Sequence, residues 1–266
     1  MQELNIAFIG GGNMAEALIA GVRGSGHPAS QITVSEPKQA RRGYLSSKYG
    51  VNCVENNVDA VHHADILILG VKPQQMQAAL EGLSEHMKAD VSVISIAAGL
   101  TTKSLHEWLG ASANVVRVMP NTPALLGAGM SVLFSNADEM HKLRTEYVLN
   151  SCGESLRVNE EQLMHAVTAV SGSGPAYLFL MAEVMQATGE KLGLEREVAA
   201  KLAAQTVFGA GKMLVESGRS AEELRHQVTS PGGTTQAALD TMHDMGVPGA
   251  VRKAVVAASK RSQELS

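Results

Sequence analysis

The sequence has few cysteines, few aromatic residues and no long apolar run. Its two cysteines, Cys53 and Cys152, belong to no C-x-x-C pair, which excludes a zinc ribbon and a disulfide framework and fits a reducing compartment. Only 4 Phe, 4 Tyr and 1 Trp occur among 266 residues, so aliphatic side chains must fill the core. The densest apolar segment, 166–184, is interrupted by Ser-Gly-Ser-Gly-Pro at 171–175, and none reaches the ~18 apolar residues of a membrane span.

The chain has no excess of positive charge, either overall or at its amino terminus. The net charge of −4 argues against a protein that tracks nucleic-acid phosphates. The chain begins without basic residues and enters a short apolar run at 6–9, whereas a signal peptide needs a basic start and a longer apolar stretch. The nine histidines show no ligand spacing such as H-x-x-x-H, so no metal site is expected. We therefore expect a cytoplasmic globular protein that binds neither nucleic acid nor a membrane.

The first 160 residues alternate short apolar runs with segments of helical periodicity. Continuous apolar runs are typical of strands that are buried on both faces of a sheet. Their alternation with helices implies right-handed crossovers and a doubly wound α/β sheet of the Rossmann type. The predicted strands are 6–9, 32–34, 66–69, 91–96, 115–119 and 130–134, with helices at 74–87 and 102–109.

Beyond the last predicted strand the pattern becomes helical, so we predict a dinucleotide-binding domain over 1–160 and an all-α domain over 161–266. Ser173 as N-cap and Pro175 in the first turn predict a helix over 176–192. This helix is apolar nearly all round and is expected to be buried on every side. So small a domain cannot cover it alone, which favours a two-fold dimer interface over an internal core helix. Further helices are predicted at 195–216, 221–228, 235–245 and 249–264.

A glycine-rich turn of the form G-x-G-x-x-A follows the first predicted strand at once. Gly10 permits the tight turn, Gly12 lets the backbone approach a pyrophosphate, and Ala15 keeps the helix close to the strand. The helix start offers N–H groups to the phosphates. This context favours a dinucleotide site over a purely structural turn. The predicted contacts are Gly10, Gly11, Gly12, Asn13 and Met14.

The end of the second predicted strand carries conflicting indications for the adenosine half of the cofactor. A carboxylate there, here Glu36, normally bonds the ribose 2′-hydroxyl of NAD. A hydroxyl and a cation, here Ser35 and Lys38, suit the 2′-phosphate of NADP. Arg41 and Arg42 could offset Glu36 or form a solvated helix face. The residues alone leave the choice between NADPH and NADH open.

Two further constellations are predicted to face ligands. Ligands bind at the carboxyl ends of parallel strands, where this chain places Val71, Lys72, Ala97, Ala98 and Asn121. Residues 229–235 put two glycines and two threonines at a helix start, where clustered N–H groups suit a carboxylate. A plain helix cap explains one of these threonines but not the whole string.

Six motifs together resemble the pyrroline-5-carboxylate reductase family. The motifs are GGGNM at 10–14, VKP at 71–73, SIAAG at 95–99, RVMPNTP at 117–123, SGSGPAY at 171–177 and SPGGTT at 230–235. The resemblance implies reduction of 1-pyrroline-5-carboxylate to L-proline by hydride transfer from NAD(P)H, the last step of proline biosynthesis. It also implies a homodimer with interlocked C-terminal domains, which some members assemble into a pentamer of dimers.

The resemblance also assigns site residues by position. It places Asn57 beside the cofactor, together with the glycine turn, Val71, Lys72, Ala97 and Ala98. It places the substrate at Glu161, Ser230, Gly233, Thr234 and Thr235, with Thr235 as the catalytic residue that orients the ring nitrogen. Glu36 departs from the family pattern, since many members carry a small hydroxyl residue there.

Two other classes of protein are weighed against this family. A reductase of the β-hydroxyacid dehydrogenase type would carry a catalytic lysine on the helix after Pro175, but the first lysine there is Lys191, near the helix end. A module that only senses dinucleotides would have no use for the string 230–235.

Overall fold

A computed structural model describes Met1 and residues 3–266. The chain divides into two compact units, one of Met1–Gly172 with Ala258–Ser266 and the other of Ser173–Ala257. The predicted domain limit at 160/161 lies within the first unit and stays a prediction. Across the described residues, no helix is long and apolar enough to cross a membrane.

The first unit is built on one eight-stranded sheet in the order β3-β2-β1-β4-β5-β6-β7-β8. All neighbouring strands are parallel except β6 and β7. The order reverses direction between β1 and β4, which confirms the doubly wound prediction. The strands are β1 (Ile6–Ile9), β2 (Ile32–Ser35), β3 (Asn52–Val54), β4 (Ile66–Leu69), β5 (Ser92–Ser95), β6 (Asn114–Met119), β7 (Gly129–Phe134) and β8 (Gly153–Arg157).

Helices cover both faces of this sheet, because its central strands are apolar on both sides. Ile6 and Phe8 of β1 pack with the helices of one face, and Ala7 and Ile9 pack with those of the other. The first face holds α1 (Asn13–Gly24), α2 (Gln39–Tyr49) and α6 (Glu139–Leu149); the second holds α3 (Asn57–Val61), α4 (Pro73–Leu80) and α5 (Thr102–Leu109). Four short turns of helix complete the unit: 3₁₀ turns at Ala29–Gln31, Leu83–His86 and Thr122–Leu126, and a π turn at Thr168–Gly172 that follows α7 (Leu163–Val167).

Three local expectations for this unit were wrong. The strands β3 and β8 were missed because they lie outermost and carry polar, partly exposed residues instead of an apolar run. The predicted helix over 74–87 ends at Leu80, because Gly82 takes a left-handed conformation with φ +69°. The chain then continues as the 3₁₀ turn.

The second unit is helical, as its sequence predicts. Ser173 precedes its first helix, but its side chain makes no capping hydrogen bond and its φ and ψ of −86° and −20° are already helical. The capping role predicted for Ser173 is therefore wrong, because the backbone is already helical where the chain leaves the π turn. The helices are α8 (Gly174–Lys191), α9 (Arg196–Glu216), α10 (Ala221–Gln227), α11 (Thr234–Asp244) and the first part of α12 (Val247–Glu264), whose residues from Ala258 onward belong to the first unit.

Helix α8 is not buried within the single chain. It packs against α9, but none of its residues, all of which are described, is buried. Its neighbours within the chain cover only part of its circumference, as expected for a helix that needs a second subunit to bury it, and its burial on every side stays a prediction. Its most exposed large apolar side chains are Leu178, Phe179, Leu180, Val184 and Met185, at 40–65% exposure.

Candidate active site

The glycine turn between β1 and α1 lies against the end of β4. Gly10 has φ +94°, a conformation that side chains rarely adopt. A Cβ on Gly10 would lie 2.9 Å from Cγ1 of Val71 and 3.1 Å from the carbonyl carbon of Gly70. The turn therefore sits where the strand order reverses, which is where ligands bind in open α/β sheets.

Open space remains beside Gly12, which close approach of a dinucleotide pyrophosphate would require. A Cβ there would meet only the carbonyl oxygen of Gly70, at 3.9 Å. Gly12 is the N-cap of α1. Gly12 and Asn13 are exposed, and Met14 is half-buried. The N–H groups of the first turn of a helix have no partner within the helix, so they can meet phosphate oxygens.

The Glu36 carboxylate folds back onto the glycine turn. Its Oε2 accepts a hydrogen bond from the N–H of Gly11 at 3.1 Å, and its Oε1 accepts one from the N–H of Lys38 at 3.1 Å. A Cβ on Gly11 would lie 2.7 Å from Cδ1 of Leu45, so a larger residue there would displace that side chain. These bonds place Glu36 and the backbone of Lys38 beside the turn, and the N–H of Gly11 is already used within the protein. The contacts of Glu36 and Lys38 with a cofactor stay predictions.

Both arginines that follow β2 bind within the protein. Arg41 Nε donates to the carbonyl of Gly11 at 2.6 Å, and its Nη2 pairs with Glu16 at 2.7 Å. Arg42 Nη1 donates to the carbonyl of Glu36 at 2.8 Å, and its Nη2 pairs with Glu55 at 3.0 Å. The arginines therefore form neither a free phosphate site nor a merely solvated face.

Ser35 and Asn57 contact each other in the interior. Ser35 is 1% exposed, and its Oγ donates to Oδ1 of Asn57 at 2.6 Å. Asn57 Nδ2 donates to the carbonyl of Ala79 at 3.0 Å. The structure does not offer the Ser35 hydroxyl to a 2′-phosphate, because that hydroxyl is buried and already donated. These two side chains join the end of β2 to α3 and α4.

The remaining predicted cofactor residues lie at the ends of β4, β5 and β6. Lys72 is exposed as the N-cap of α4, Ala97 is 7% exposed and Ala98 is exposed. Asn121 uses its amide within the protein: Nδ2 donates to the carbonyl of Ser171 at 3.3 Å, and Oδ1 accepts from the N–H of Met130 at 2.9 Å. The contacts of these residues with a cofactor stay predictions.

Glu161 is the centre of a partly buried network in the first unit. Its Oε1 accepts from the N–H of Thr102 at 2.8 Å and pairs with Arg117 at 2.9 Å, and its Oε2 accepts from Oγ1 of Thr102 at 2.7 Å. Burial raises the pKa of Glu161, but the bonds from Thr102 and Arg117 outweigh it and hold that pKa below its ordinary value. The carboxylate is thus ionised and engaged at the start of α5.

The predicted carboxylate site in the second unit lies at the start of α11. Gly232 has φ +70°, and Gly233, the N-cap, donates its N–H to the carbonyl of Ser230 at 3.0 Å. Thr234 and Thr235 are the first two helical residues, the former exposed and the latter half-buried. The N-cap of α11 is therefore Gly233, so neither threonine is explained as a plain helix cap. The N–H groups of both threonines lie in the unpaired first turn, where they suit an anion.

Sequence reasoning missed the partners of these residues. The contacts of Glu161 with Thr102 and Arg117 span 59 and 44 residues of chain, and Arg41 reaches Gly11 across 30. No local spacing indicates such pairs. Among the described residues, no group of three His, Cys, Asp or Glu side chains could hold a metal ion.

Two family models match this chain. The model described as pyrroline-5-carboxylate reductase dimerisation matches residues 161–265, and the model described as NADP oxidoreductase, coenzyme F420-dependent, matches residues 5–99. The first match covers the region with the exposed helix α8 and the string 230–235. The second covers the glycine turn and the ends of β2 and β4.

Relatives match the chain from end to end. A pyrroline-5-carboxylate reductase of Pseudomonas aeruginosa is 45% identical and covers 100% of this chain and 98% of its own. The solved structure of a pyrroline-5-carboxylate reductase from Coxiella burnetii is 38% identical with a TM-score of 0.93, covering 99% and 98%. That of Plasmodium falciparum pyrroline carboxylate reductase with NADP bound is 30% identical with a TM-score of 0.88, covering 100% and 99%. The chain therefore belongs to the pyrroline-5-carboxylate reductase family.

Proposed function

We propose that this protein reduces 1-pyrroline-5-carboxylate to L-proline with NADPH, the last step of proline biosynthesis. The observation that carries the proposal is the full-length identity of 45% to a reductase of that name. Two anion-binding helix starts, at Gly12 and at Gly233, support it, because the cofactor and the substrate each bring negative charge. NADPH is supported by the NADP in the Plasmodium relative.

Each site residue then has a role that its position supports. The N–H groups after Gly12 bind the pyrophosphate, and those of Thr234 and Thr235 bind the substrate carboxylate. Ser230 holds the turn, because its carbonyl accepts from the N–H of Gly233. The Thr235 hydroxyl orients the ring nitrogen, since a hydroxyl is too weak an acid to protonate it alone. The nicotinamide supplies the hydride when it is bound, and the protein contributes orientation, which can lower a barrier by roughly 7–11 kcal/mol at best.

Glu161 supports the site through α5. Its carboxylate accepts from Thr102 and pairs with Arg117, so direct contact with substrate would require these bonds to break. We therefore assign Glu161 to holding the start of α5, which follows the loop with Ala97 and Ala98. The bonds from Thr102 and Arg117 that support this assignment also hold the pKa of the Glu161 carboxyl group below its ordinary value.

The activity is tested by following the absorbance of NADPH with NADPH and 1-pyrroline-5-carboxylate, with NADP and a 3-hydroxy acid, and with NADPH alone. Oxidation with 1-pyrroline-5-carboxylate and production of proline support the proposal. Conversion of a 3-hydroxy acid with NADP instead indicates a β-hydroxyacid dehydrogenase. Binding of NADPH without turnover of either substrate indicates a sensing module and overturns the proposal.

Glu36 should lower the preference for NADPH over NADH, because a carboxylate at the end of this strand normally faces the adenosine ribose, where a 2′-phosphate brings further negative charge. We expect Glu36→Ser to raise the ratio of kcat/KM for NADPH to that for NADH by about tenfold, the effect of roughly 1.4 kcal/mol. The ratio is measured by steady-state kinetics with both cofactors. Glu55→Ser is a matched control, since Glu55 is exposed and bonds Arg42 only at its far end. An unchanged ratio in Glu36→Ser means that Glu36 does not face the adenosine ribose.

We assign the exposed face of α8 to the homodimer interface. An apolar cavity of about 400 Å³ lies in the second unit, lined by side chains of α8, α11 and the start of α12. It includes Leu180, Val184, Met242 and Val251. A self-matching apolar face is most easily buried by a two-fold copy, and the dimerisation model matches this region.

Leu180→Glu or Val184→Glu should therefore break the dimer. An unpaired buried charge costs about 3 kcal/mol or more, which raises the dimer Kd at least about 100-fold. Sedimentation should show monomers or insoluble protein. Met140→Glu, a similar change at a 43%-exposed site on α6, should leave the dimer intact. A Leu180→Glu protein that is still dimeric would place the interface elsewhere.

We further place the enzyme in the cytoplasm and take the dimer as its assembly unit. The free thiols of Cys53 and Cys152 support a reducing compartment. Sedimentation of the unmodified protein distinguishes a dimer from a pentamer of dimers by mass.

A further inference from the structure

We propose that Arg41 is a positioning residue that fixes the glycine turn, and that it does not bind the 2′-phosphate of the cofactor. The proposal rests on the proposed dinucleotide binding and deepens it. Two observations carry it: Arg41 bonds the turn itself, and its charge is already paired.

The bond from Arg41 determines where an N–H group of the turn points. A peptide unit is planar, so its C=O and N–H point in opposite directions. The carbonyl of Gly11 and the N–H of Gly12 share one such unit, and Arg41 Nε holds that carbonyl at 2.6 Å. The N–H of Gly12 is thereby directed away from Arg41. The preceding unit is held in the same way by Glu36, which accepts from the N–H of Gly11.

Glu16 anchors Arg41 in this position. Its carboxylate is 14% exposed and accepts from Arg41 at 2.7 Å, Tyr44 at 2.9 Å, Lys48 at 3.0 Å and Tyr49 at 2.7 Å. Burial raises the pKa of Glu16, but these bonds lower it to about 2, so the carboxylate is charged at neutral pH. The Arg41 guanidinium also lies over the Tyr44 ring at 5.1 Å. Arg41 therefore has little freedom to turn toward a phosphate.

Lys38 is the cation near Glu36 that remains for the 2′-phosphate. Arg42 is held by the carbonyls of Glu36 and Pro37 and by Glu55. Lys38 is exposed, and within the described part of the chain its ammonium group has no hydrogen-bond partner. The two roles, positioning for Arg41 and phosphate contact for Lys38, predict different responses to the two cofactors.

The test is calorimetric titration of the full-length protein with NADPH and with NADH. Arg41→Met should raise Kd for both cofactors by the same factor, about 5- to 20-fold, because a charge-assisted bond to the turn is lost. Glu16→Gln should raise the Kd for NADPH and the Kd for NADH by equal but smaller factors, because Glu16 acts only through Arg41. Lys38→Met should raise Kd for NADPH more than Kd for NADH. Arg157→Met is the control for loss of a paired arginine, since it bonds only Glu139 and Glu146; it should change neither Kd.

The outcomes separate this inference from the proposed function. If Arg41→Met weakens NADPH alone, Arg41 is a phosphate ligand and the inference is overturned. If Arg41→Met leaves both Kd values unchanged, the bond to Gly11 does not position the turn and the inference is also overturned. If the unmodified protein binds neither cofactor, the proposed function fails instead. Equal melting temperatures of Arg41→Met and Arg157→Met show that any parallel loss is not caused by unfolding.

Discussion

Gly12→Val abolishes dinucleotide binding while the protein stays folded. Beyond its two chain neighbours, the nearest atom to a Cβ at Gly12 is the Gly70 carbonyl oxygen at 3.9 Å, so the β-carbon of a valine makes no close contact and the protein should stay folded. The backbone angles of Gly12, φ −68° and ψ −178°, are also accessible to a valine. The added methyl groups instead occupy the place of the pyrophosphate, which must approach the backbone closely.

Calorimetry with NADPH measures this effect, and circular dichroism checks the fold. We expect Kd to rise beyond the measurable range, at least about 1,000-fold, which corresponds to roughly 4 kcal/mol. Gly24→Val is the matched control, because Gly24 ends the same helix and nothing lies within 4 Å of its Cβ position. Unchanged affinity in folded Gly12→Val protein would refute the cofactor assignment of the turn.

Thr235→Ala lowers kcat/KM for the imine by roughly 10–1,000-fold, the effect of losing one polar contact of 1.4–4 kcal/mol. The alanine keeps the backbone N–H at the start of α11 and removes only the hydroxyl. NADPH affinity should change little, because the predicted cofactor residues lie in the first unit and Thr235 in the second. Steady-state kinetics and calorimetry measure the two quantities separately.

Two further variants sharpen the assignment of Thr235. Thr235→Ser retains the hydroxyl and should recover most of the lost activity. Thr234→Ala should cost less activity and little stability, because Gly233, and not Thr234, is the N-cap of α11. If Thr234→Ala loses activity and Thr235→Ala does not, the two threonines have exchanged roles. If neither matters, the substrate does not bind at this helix start.

Local patterns predicted most elements of this protein. Helix 102–109 and the strands 6–9 and 66–69 have the observed bounds, because uninterrupted apolar runs and clear helical periodicity depend only on neighbouring residues. The outer strand β8 was missed because its partner in the sheet, and not its composition, makes it a strand. The helix over 74–87 was too long because one glycine, Gly82, reverses the backbone.

In the candidate site, too, some features follow from local sequence and others depend on distant residues. The glycine turn and the string 230–235 are local motifs, so the sequence alone located both helix starts and, through the resemblance, the family. Whether each polar side chain is free or already hydrogen-bonded depended on partners that are distant in the sequence. Ser35 was expected to meet a phosphate, but its hydroxyl donates to Asn57. Glu161 accepts from Thr102 and pairs with Arg117, and its place beside the substrate stays a prediction.

By itself, the sequence determined the class of the fold, the order of its elements and the two helix starts whose unpaired backbone N–H groups can bind an anion. These features follow from periodicity, from glycine and proline, and from the few residues that flank them. Only the tertiary structure decided which charges are already paired. Arg41 and Glu16 meet because α1 and α2 lie together on one face of the sheet, and a residue's partner across a fold is set by packing that no short segment encodes.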